Sequence, residues 1–350
     1  MYKREKTKQV KVGSVIIGGQ NKVVIQSMTT CKTSDVEQVL KEIKALTENG
    51  AELVRVSIFD QADAEALKII TKKSTTPIVA DIHFNANFAI DAIKNGAKKI
   101  RINPGNISNI DDLKRIVDAA KIYNVAIRIG INGGSLSFEA TNKVYKQMVK
   151  EAIKYIKLFE KWDFNNIVIS LKHSNYKVVN DAYLLASKKI KYPLHIGVTE
   201  AGDTITSAIK STLGLSNLLK SGIGDTIRIS SNGNREDELM ISKILLSQFD
   251  LYELPNVIAC PICGRNQFST SKWVEEITKY YSTKHLNKSI AIMGCIVNGL
   301  GEAKKADFTL CVKTKTKSTI YVGGKELKDV ENKKALNEFI KVIDDNIKNV

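Results

Sequence analysis

The stretch Val23–Val56 reads VVIQSMTTCKTSDVEQVLKEIKALTENGAELVRV and predicts a strand, a helix and a second strand in succession. Its first and last runs, Val23–Ser27 and Leu53–Val56, are rich in β-branched residues, which is typical of buried parallel strands. Between them Ser34-Asp-Val-Glu37 predicts a capping box, and Asn49-Gly50 predicts the end of the helix. The stretch is therefore a β–α–β unit.

The same alternation of strand and helix continues to about residue 248. The predicted strands are Val23–Ser27, Leu53–Val56, Ile78–His83, Lys99–Asn103, Val125–Gly130, Ile167–Lys172, Leu194–Thr199 and Thr226–Ser230. Eight such units favour an α/β chain with a (β/α)8 TIM-like barrel over residues 1–250, preceded by a hairpin within residues 8–19. No G-x-G-x-x-G follows the first strand, so a dinucleotide-binding fold has no support. Residues 251–350 predict a small α+β domain.

Four of the predicted strands place one arginine between two β-branched residues. They are Val54-Arg55-Val56, Ile100-Arg101-Ile102, Ile127-Arg128-Ile129 and Ile227-Arg228-Ile229. In a parallel barrel strand the alternation turns the flanking residues toward the helices and the arginine into the barrel. An inward guanidinium is costly unless an anion or a carboxylate meets it. Together with Lys172, the arginines exceed what Asp81 and Glu200 neutralise, so we expect a polyanion such as a diphosphate at the C-terminal mouth.

Other polar residues stand at the strand ends that form this mouth. They are Asp81, His83, Asn103, Asn132, His195, Thr199, Glu200 and Ser230. Each has an ordinary structural explanation, because asparagines beside glycine often make turns and a histidine among strands is more often structural than catalytic. Their shared location favours a ligand-binding role for the group rather than for any single member.

The C-terminal segment carries the cysteines that point to a metal centre. The motifs are Cys260-Pro-Ile-Cys263-Gly-Arg265, Met293-Gly-Cys295 and Asn298-Gly-Leu-Gly301-Glu302. A C-x-x-C pair with one distant cysteine supplies three thiolates, which favours an iron–sulfur cluster with one unusual corner. Zinc is the first alternative, but a second C-x-x-C pair is lacking and the nearby His285 has unusual spacing. A carboxylate ligand such as Glu302 would leave one iron open to exchange.

Composition limits the class of protein and its compartment. The 350 residues include 53 Lys and Arg against 37 Asp and Glu, a net charge of +16. Such a balance is typical of proteins that bind anionic substrates or nucleic acid. Lysines scattered over the surface explain most of the charge, however. An aromatic content of 7% disfavours a nucleic-acid-binding protein. No signal peptide or membrane-spanning run is predicted. The odd count of five cysteines favours a reducing cytoplasm over a disulfide framework.

Stretches along almost the whole chain carry a family resemblance. Besides the cysteine motifs they are Gln26-Ser-Met-Thr29, Ala80-Asp-Ile-His-Phe84, Arg101-Ile-Asn-Pro-Gly-Asn-Ile107, Arg128-Ile-Gly-Ile-Asn132, Leu194-His-Ile-Gly-Val-Thr-Glu-Ala-Gly202 and Gly222-Ile-Gly-Asp-Thr-Ile-Arg228. The chain resembles the bacterial 4-hydroxy-3-methylbut-2-enyl diphosphate synthases of the non-mevalonate isoprenoid pathway. It departs from the family pattern at Leu300, where the family has proline, and at Ser231-Asn-Gly-Asn234, where the family has Leu-Thr and then Asp-Pro.

The resemblance implies an oxidoreductase with a [4Fe–4S] cluster bound by Cys260, Cys263, Cys295 and Glu302. The implied substrate is 2-C-methyl-D-erythritol 2,4-cyclodiphosphate, whose ring is opened by a two-electron reduction with loss of water. The implied electron donor is ferredoxin or flavodoxin. Two alternatives stay open on the residues alone. One is a non-redox barrel enzyme on a phosphorylated sugar with structural zinc, and the other is a basic nucleic-acid-binding protein with a zinc knuckle.

Combining the motifs with the resemblance gives each residue an expected role. We expect the diphosphate to be held by Arg55, Arg101, Arg128, Lys172, Arg228 and Ser230, with Asn103, Asn132 and His195 nearby. We expect the iron that Glu302 ligates to act as a Lewis acid on the departing oxygen. Glu200 or His83 is the candidate proton donor, and we prefer Glu200.

The linker between the two domains predicts a homodimer that shares its active sites. The last barrel helix returns the chain to the face opposite the mouth. The linker Leu251–Pro255 spans at most about 17 Å when extended. A C-terminal domain on so short a tether is therefore expected to serve the mouth of a second chain, related by a two-fold axis.

Overall fold

The computed structural model describes residues 4–107, 109–133 and 144–348, and it divides into two compact units. The first unit is Met1–Leu251 and the second is Tyr252–Val350. Each unit has its own sheet and its own buried core, and each is described by itself.

The first unit contains an eight-stranded parallel sheet. Its strands are β3 (Val24–Met28), β4 (Leu53–Ser57), β5 (Ile78–Asp81), β6 (Lys99–Ile102), β7 (Ala126–Asn132), β8 (Ile167–Lys172), β9 (His195–Ile196) and β10 (Thr226–Ile227). They pair in the order β8-β7-β6-β5-β4-β3-β10-β9, and a parallel bridge between Ile169 and Leu194 joins the two ends. The predicted (β/α)8 barrel is confirmed.

Helices follow the barrel strands. They are α1 (Val36–Glu48), α2 (Gln61–Lys73), α3 (Ala86–Lys94), α4 (Ile110–Ile122), α5 (Val144–Lys161), α6 (Tyr176–Lys189), α7 (Thr204–Lys220) and α8 (Arg235–Ser247). The predicted cap of α1 is one residue too early. Asp35, not Ser34, is the N-cap, and its Oδ1 accepts the hydrogen bond from the Gln38 amide.

A hairpin closes the N-terminal end of the barrel, opposite the mouth. Its strands are β1 (Val10–Val12) and β2 (Val15–Ile17), within the predicted range. Apolar side chains of the hairpin pack against the first inward-facing residues of the barrel strands, including Leu53 and Val79. This apolar floor leaves the other end of the barrel for polar residues.

The last two barrel strands are shorter than their sequences predict. The ladder includes only His195–Ile196 and Thr226–Ile227, although both β-rich runs continue for several residues. After Ile196 the chain passes through Gly197, where a Cβ would lie 2.5 Å from the Arg228 carbonyl oxygen. The two segments therefore stay in close contact without regular strand pairing.

The second unit is a five-stranded sheet with helices. Its strands, in the spatial order β11-β12-β13-β14-β15, are β11 (Asn256–Ala259), β12 (Ser289–Met293), β13 (Phe308–Val312), β14 (Lys317–Val322) and β15 (Lys325–Glu331). Its helices are α9 (Ser271–Tyr281), α10 (Ile296–Ala303) and α11 (Asn332–Lys348). Trp273 and Ile277 of α9 share a core with Phe339 and Ile343 of α11. Within the described residues, no helix has the length and apolar character needed to cross a membrane.

Candidate active site

The barrel mouth gathers the predicted basic residues. Arg55, Arg101, Arg128, Lys172 and Arg228 are all buried, with relative exposures of 8% or less. Adjacent strands pair Arg101 with Arg128 in register, which places them on the same face of the sheet. Strand alternation thus turns these cations into the barrel, as the sequence predicts.

One carboxylate holds two of these arginines. The Oδ1 atom of Asp81 lies 3.4 Å from Nη1 of Arg101, and its Oδ2 atom lies 3.5 Å from Nε of Arg55. Burial alone would raise the pKa of Asp81, but Arg55, His83 and Arg101 outweigh it and hold this pKa well below its usual range. Asp81 is therefore ionised, and it orients Arg55 and Arg101 on one side of the mouth.

Smaller residues make room for this arrangement. A Cβ on Gly130 would lie 2.6 Å from Nε of Arg101, so the guanidinium occupies space that a side chain would fill. Nη2 of Arg101 also donates to Oδ1 of Asn132 at 3.4 Å. Asn103 instead organises its own turn, because its Oδ1 accepts from the Gly105 amide at 3.2 Å.

The opposite side of the mouth has a second buried carboxylate that the sequence did not reveal. Glu238 of α8 is 2% exposed, and its Oε2 lies 3.7 Å from Nη2 of Arg228. Glu200, by contrast, is exposed, so Glu238 rather than Glu200 is the carboxylate that meets Arg228. Ser230, which follows this strand, is half-buried.

The centre of the mouth carries positive charge with less compensation. Arg128 is fully buried and its Nη1 reaches Gln26 at 3.5 Å, while its Nε and Nη2 have no hydrogen-bond partner among the described residues. Burial, and then repulsion from Arg55 and Arg101, lower the pKa of Arg128 well below its usual value. An arginine does not lose its proton in a protein, so the charge is held at a cost that a bound anion would relieve.

Two buried lysines also lie inside the barrel. Burial, and then repulsion by the arginines, lower the pKa of Lys172 and of Lys99 well below the ordinary lysine value. Lys99 was missed by sequence reasoning, although it shares the strand parity of Arg101 and is fully buried. Its Nζ has no hydrogen-bond partner in the described part of the chain.

His195 lies deeper than the sequence suggests. It is fully buried at the start of β9, in register with Thr226, and its Nδ1 contacts the Thr226 hydroxyl. Burial, and then the neighbouring Arg128 and Lys172, lower its pKa well below the usual histidine range. The ring is therefore neutral and lies among the strands rather than among the loops at the rim.

The two candidate proton donors occupy different surroundings. Nε2 of His83 lies 3.4 Å from Nη1 of Arg101 and 3.6 Å from Oδ2 of Asp81. Glu200 follows β9, is exposed, and has a left-handed backbone with φ of 53°. A non-glycine residue in this region is strained by roughly 1–3 kcal/mol, which is more common at functional positions than elsewhere.

The cysteines lie at one edge of the sheet in the second unit. β11 and β12 are parallel, so Cys260 after β11 and Cys295 after β12 lie at the same edge. The Asn266 side chain occupies the space that a Cβ on Gly294 would need, which holds the C-x-x-C loop against the Cys295 loop. Hydrogen bonds from the amide and then the guanidinium of Arg265 lower the pKa of the exposed Cys263 thiol. We call this region, Cys260 to Cys263 with Cys295, the cysteine edge.

Glu302 is separated from the cysteine edge by a helix. Cys295 is the N-cap of α10, and Glu302 lies in the last turn of that helix. Seven residues of α-helix rise by about 10 Å. Within the described residues, no three Cys, His, Asp or Glu side chains form a group that holds a metal ion. The donor types fit a thiolate-bound cluster at the cysteine edge. Glu302 follows Cys295 by about two turns on the same face of α10, a separation that a cluster and a glutamate side chain together can span. The side chain of Leu300 lies outside the described residues.

Together these features define a class: a (β/α)8-barrel enzyme with a cationic mouth and an appended domain bearing a cysteine edge. Residues 7–243 match the family described as the GcpE TIM-barrel domain, and residues 256–345 match the GcpE protein C-terminal domain. The chain belongs to the GcpE family.

Curated relatives agree with this family over nearly the full length. The chain is 45% identical to "4-hydroxy-3-methylbut-2-en-1-yl diphosphate synthase (flavodoxin)" of Mycoplasmoides gallisepticum, covering 98% of this chain and 96% of that protein. A protein of the same description from Malacoplasma penetrans is 46% identical, with 98% and 96% covered.

A solved structure of low sequence identity shares the barrel. Dihydropteroate synthase from Stenotrophomonas maltophilia superposes with a TM-score of 0.53 at 13% identity, covering 69% of this chain and 98% of that chain. This likeness shows the fold alone.

Proposed function

We propose that the chain is a 4-hydroxy-3-methylbut-2-enyl diphosphate synthase. It reduces 2-C-methyl-D-erythritol 2,4-cyclodiphosphate by two electrons, opens the ring and releases water, which yields (E)-4-hydroxy-3-methylbut-2-enyl diphosphate. Family membership and the naming of relatives at 45–46% identity support this activity over a zinc-containing sugar-phosphate enzyme or a nucleic-acid-binding protein.

The observation that carries the proposal is the unbalanced charge at the mouth. Asp81 and Glu238 compensate part of the charge of the buried arginines, whereas Arg128 retains donors without a partner in the described residues. A diphosphate supplies the missing acceptors and matches the bidentate geometry of guanidinium groups. A neutral substrate would leave this charge uncompensated.

The barrel residues have two tasks in this reaction. Before reaction, Arg55, Arg101, Arg128, Lys172 and Arg228, with Ser230, bind the cyclic diphosphate and orient its ring in the mouth. As the ring C–O bond breaks, negative charge shifts onto the diphosphate, and the same cations stabilise it without moving. The buried setting strengthens these interactions, because little water competes.

A proton must reach the oxygen that departs as water. Glu200 remains our preferred donor, supported by its strained backbone at the mouth end of β9. His83 is the alternative, because its ring lies beside Asp81 and Arg101. A pH profile of kcat for Glu200→Gln and His83→Gln separates the two, since only loss of the true donor removes the corresponding ionisation.

We infer a [4Fe–4S] cluster held by Cys260, Cys263, Cys295 and Glu302. When bound, such a cluster supplies electrons one at a time and an iron site able to polarise the departing oxygen. The lowered pKa of Cys263 supports thiolate ligation at the cysteine edge. Flavodoxin is the proposed electron donor, since the relatives carry that word in their names, and ferredoxin is the alternative. The cytoplasm is the proposed compartment.

The direct test is an anaerobic assay with reduced flavodoxin and the cyclic diphosphate. We expect the linear allylic diphosphate as product, identified by mass spectrometry, in an amount set by the electrons supplied. An enzyme that contains its full complement of iron and leaves the cyclic diphosphate unchanged with both donors would refute this function.

We also propose a homodimer in which each cysteine edge serves the barrel of the other chain. The short link between the units, Leu251–Pro255, supports this arrangement. Mixing a Cys263→Ser chain with an Arg128→Ala chain tests it, because hybrid dimers working across chains contain one intact site. Hybrid dimers that form but stay inactive would show that each chain serves itself.

A further inference from the structure

Glu238 has contacts that an ordinary helix residue lacks. It stands in the first turn of α8, where acidic side chains are usually solvated, yet it is 2% exposed. Its Oε1 accepts a hydrogen bond from the Ser231 amide at 2.7 Å and another from Nη1 of Arg235. Its Oε2 faces Arg228 at 3.7 Å and has no hydrogen-bond partner in the described residues.

Arg235 secures the same carboxylate from the other side. Its side chain is only 24% exposed, and its Nη1 also donates to the Ser231 carbonyl oxygen at 3.2 Å. The loop that departs from the family pattern, Ser231 to Asn234, is thereby tied to the start of α8. Asn234 completes the tie, because its side chain caps the helix by accepting from the Asp237 amide.

The mouth therefore contains two carboxylate-anchored arginine pairs. Asp81 anchors Arg55 and Arg101, and Glu238 anchors Arg228 and Arg235. Burial, and then repulsion by Arg55, lower the pKa of Arg228, and Glu238 acts against both. Without its anchor, the buried Arg228 would therefore be less well compensated. A released guanidinium would turn toward solvent, where its charge is better hydrated.

We propose that Glu238 is a positioning residue for diphosphate binding, that it holds Arg228 in the mouth, and that Arg235 holds Glu238. This inference rests on the proposed function only in taking the mouth as a diphosphate site. It predicts that removing Glu238 changes the anion affinity in the direction opposite to that expected from charge alone. Removing a nearby negative charge would strengthen anion binding if Glu238 were only a counter-ion, whereas losing the position of Arg228 weakens it.

The experiment measures the affinity of the full-length protein for inorganic pyrophosphate by calorimetry. Glu238→Gln is expected to weaken binding about 10-fold, comparable to the loss of one charged hydrogen bond. Arg228→Ala should weaken binding at least as much. The double variant should bind like Arg228→Ala alone, because Glu238 acts through Arg228. Glu238→Asp, which keeps the charge, should recover part of the affinity.

Arg235→Gln provides a second route should Glu238→Gln fail to fold, since Arg235 is partly exposed and its loss should weaken binding in the same direction. Asp112→Asn is the matched control, because Asp112 forms a helical i, i+3 pair with Arg115 on α4 and should leave affinity unchanged. Equal or tighter pyrophosphate binding by Glu238→Gln, additive effects in the double variant, or no binding by the wild-type chain would each overturn the inference. Normal binding without turnover of the cyclic diphosphate would refute the proposed function alone.

Discussion

The barrel mouth and the cysteine edge differ in how completely the protein alone builds them. The mouth side chains come from strands, are buried, and include arginines held by Asp81 and Glu238. At the cysteine edge, by contrast, Cys263 is exposed, Cys260 is half-buried, and Glu302 is at the far end of a helix. The mouth is thus preorganised, whereas the fold holds the proposed metal ligands at the cysteine edge less firmly.

This difference indicates whether the cost of arranging the binding residues arises on folding or on ligand binding in each region. In the mouth, folding already brings like charges together, so a bound anion reduces their repulsion and binds more favourably. At the cysteine edge two of the proposed ligands are partly or fully exposed, so we expect metal affinity and local structure to be coupled. Substitutions in the mouth should therefore affect anion binding, and substitutions at the cysteine edge should affect metal binding.

The largest effect is expected at Glu302. Glu302→Cys should keep the cluster but reduce turnover by at least about 100-fold, because a fourth thiolate closes the exchangeable iron. Cys263→Ser is the comparison, and it should lose visible absorption and activity together. Normal turnover of Glu302→Cys with its cluster intact would rule out the open-iron role.

The next effect concerns the mouth. Arg128→Ala should weaken binding of the cyclic diphosphate by about 10–100-fold, because a buried charged donor is lost. The visible spectrum of the protein should stay unchanged, since the cysteines lie in the other unit. Arg115→Ala, an exposed arginine on α4, is the control. If Arg128 had a purely structural role, Arg128→Ala would instead lower the thermal stability and leave the kinetics near normal.

A smaller effect is expected on stability. Asp81→Asn should lower the free energy of unfolding of the barrel by about 3 kcal/mol at pH 7, because it leaves buried arginines without their anion. The folded state holds the pKa of Asp81 below its unfolded value, which is near 3.9. Its contribution is therefore complete above about pH 4 and fades as the pH falls further, so the two proteins should converge in acid. Denaturant titrations at several pH values measure this.

The matched control for that experiment is Asp112→Asn. Asp112 pairs with Arg115 at a partly exposed position, so its loss should cost less than about 1 kcal/mol. Equal losses for Asp81→Asn and Asp112→Asn would contradict a special role for the buried carboxylate.

The smallest effect is expected on the number of protons taken up when the cyclic diphosphate binds. Burial and neighbouring arginines lower the pKa of Lys172 in the free enzyme, and a bound diphosphate should raise it again. At a pH between the free and the bound pKa of Lys172, binding should therefore take up protons, up to about one per site. Calorimetry of cyclic diphosphate binding in buffers of different ionisation enthalpy measures this uptake. It should shrink in Lys172→Met, and release of protons by the wild type would have the wrong sign.

The sequence predicted the inward arginines because strand parity is a local property. Lys99 has the same parity as Arg101 but escaped notice, since the search required a β-branched residue on both sides. Glu238 could not be predicted, because an acidic residue in a first helical turn usually lies in solvent and its contact with Arg228 depends on tertiary packing. Only the folded barrel reveals which carboxylate each arginine meets.

The cysteine edge shows the same limit for local structure. Gly299 and Gly301 disfavour a helix, so the segment after Cys295 carried no helix prediction. In the fold, Gly299 packs against the Sγ atom of Cys311 where a side chain would not fit, and α10 forms over it. Tertiary packing thus outweighs helix propensity, and it forms the helix that carries Glu302.

Metal analysis of the protein purified without oxygen tests the central claim most directly. That claim joins a diphosphate-binding barrel to an iron–sulfur centre at the cysteine edge. We expect brown protein that absorbs at about 400 nm and contains about four irons per chain. Colourless protein that carries zinc, and that stays colourless after anaerobic incubation with iron and sulfide, would contradict the account.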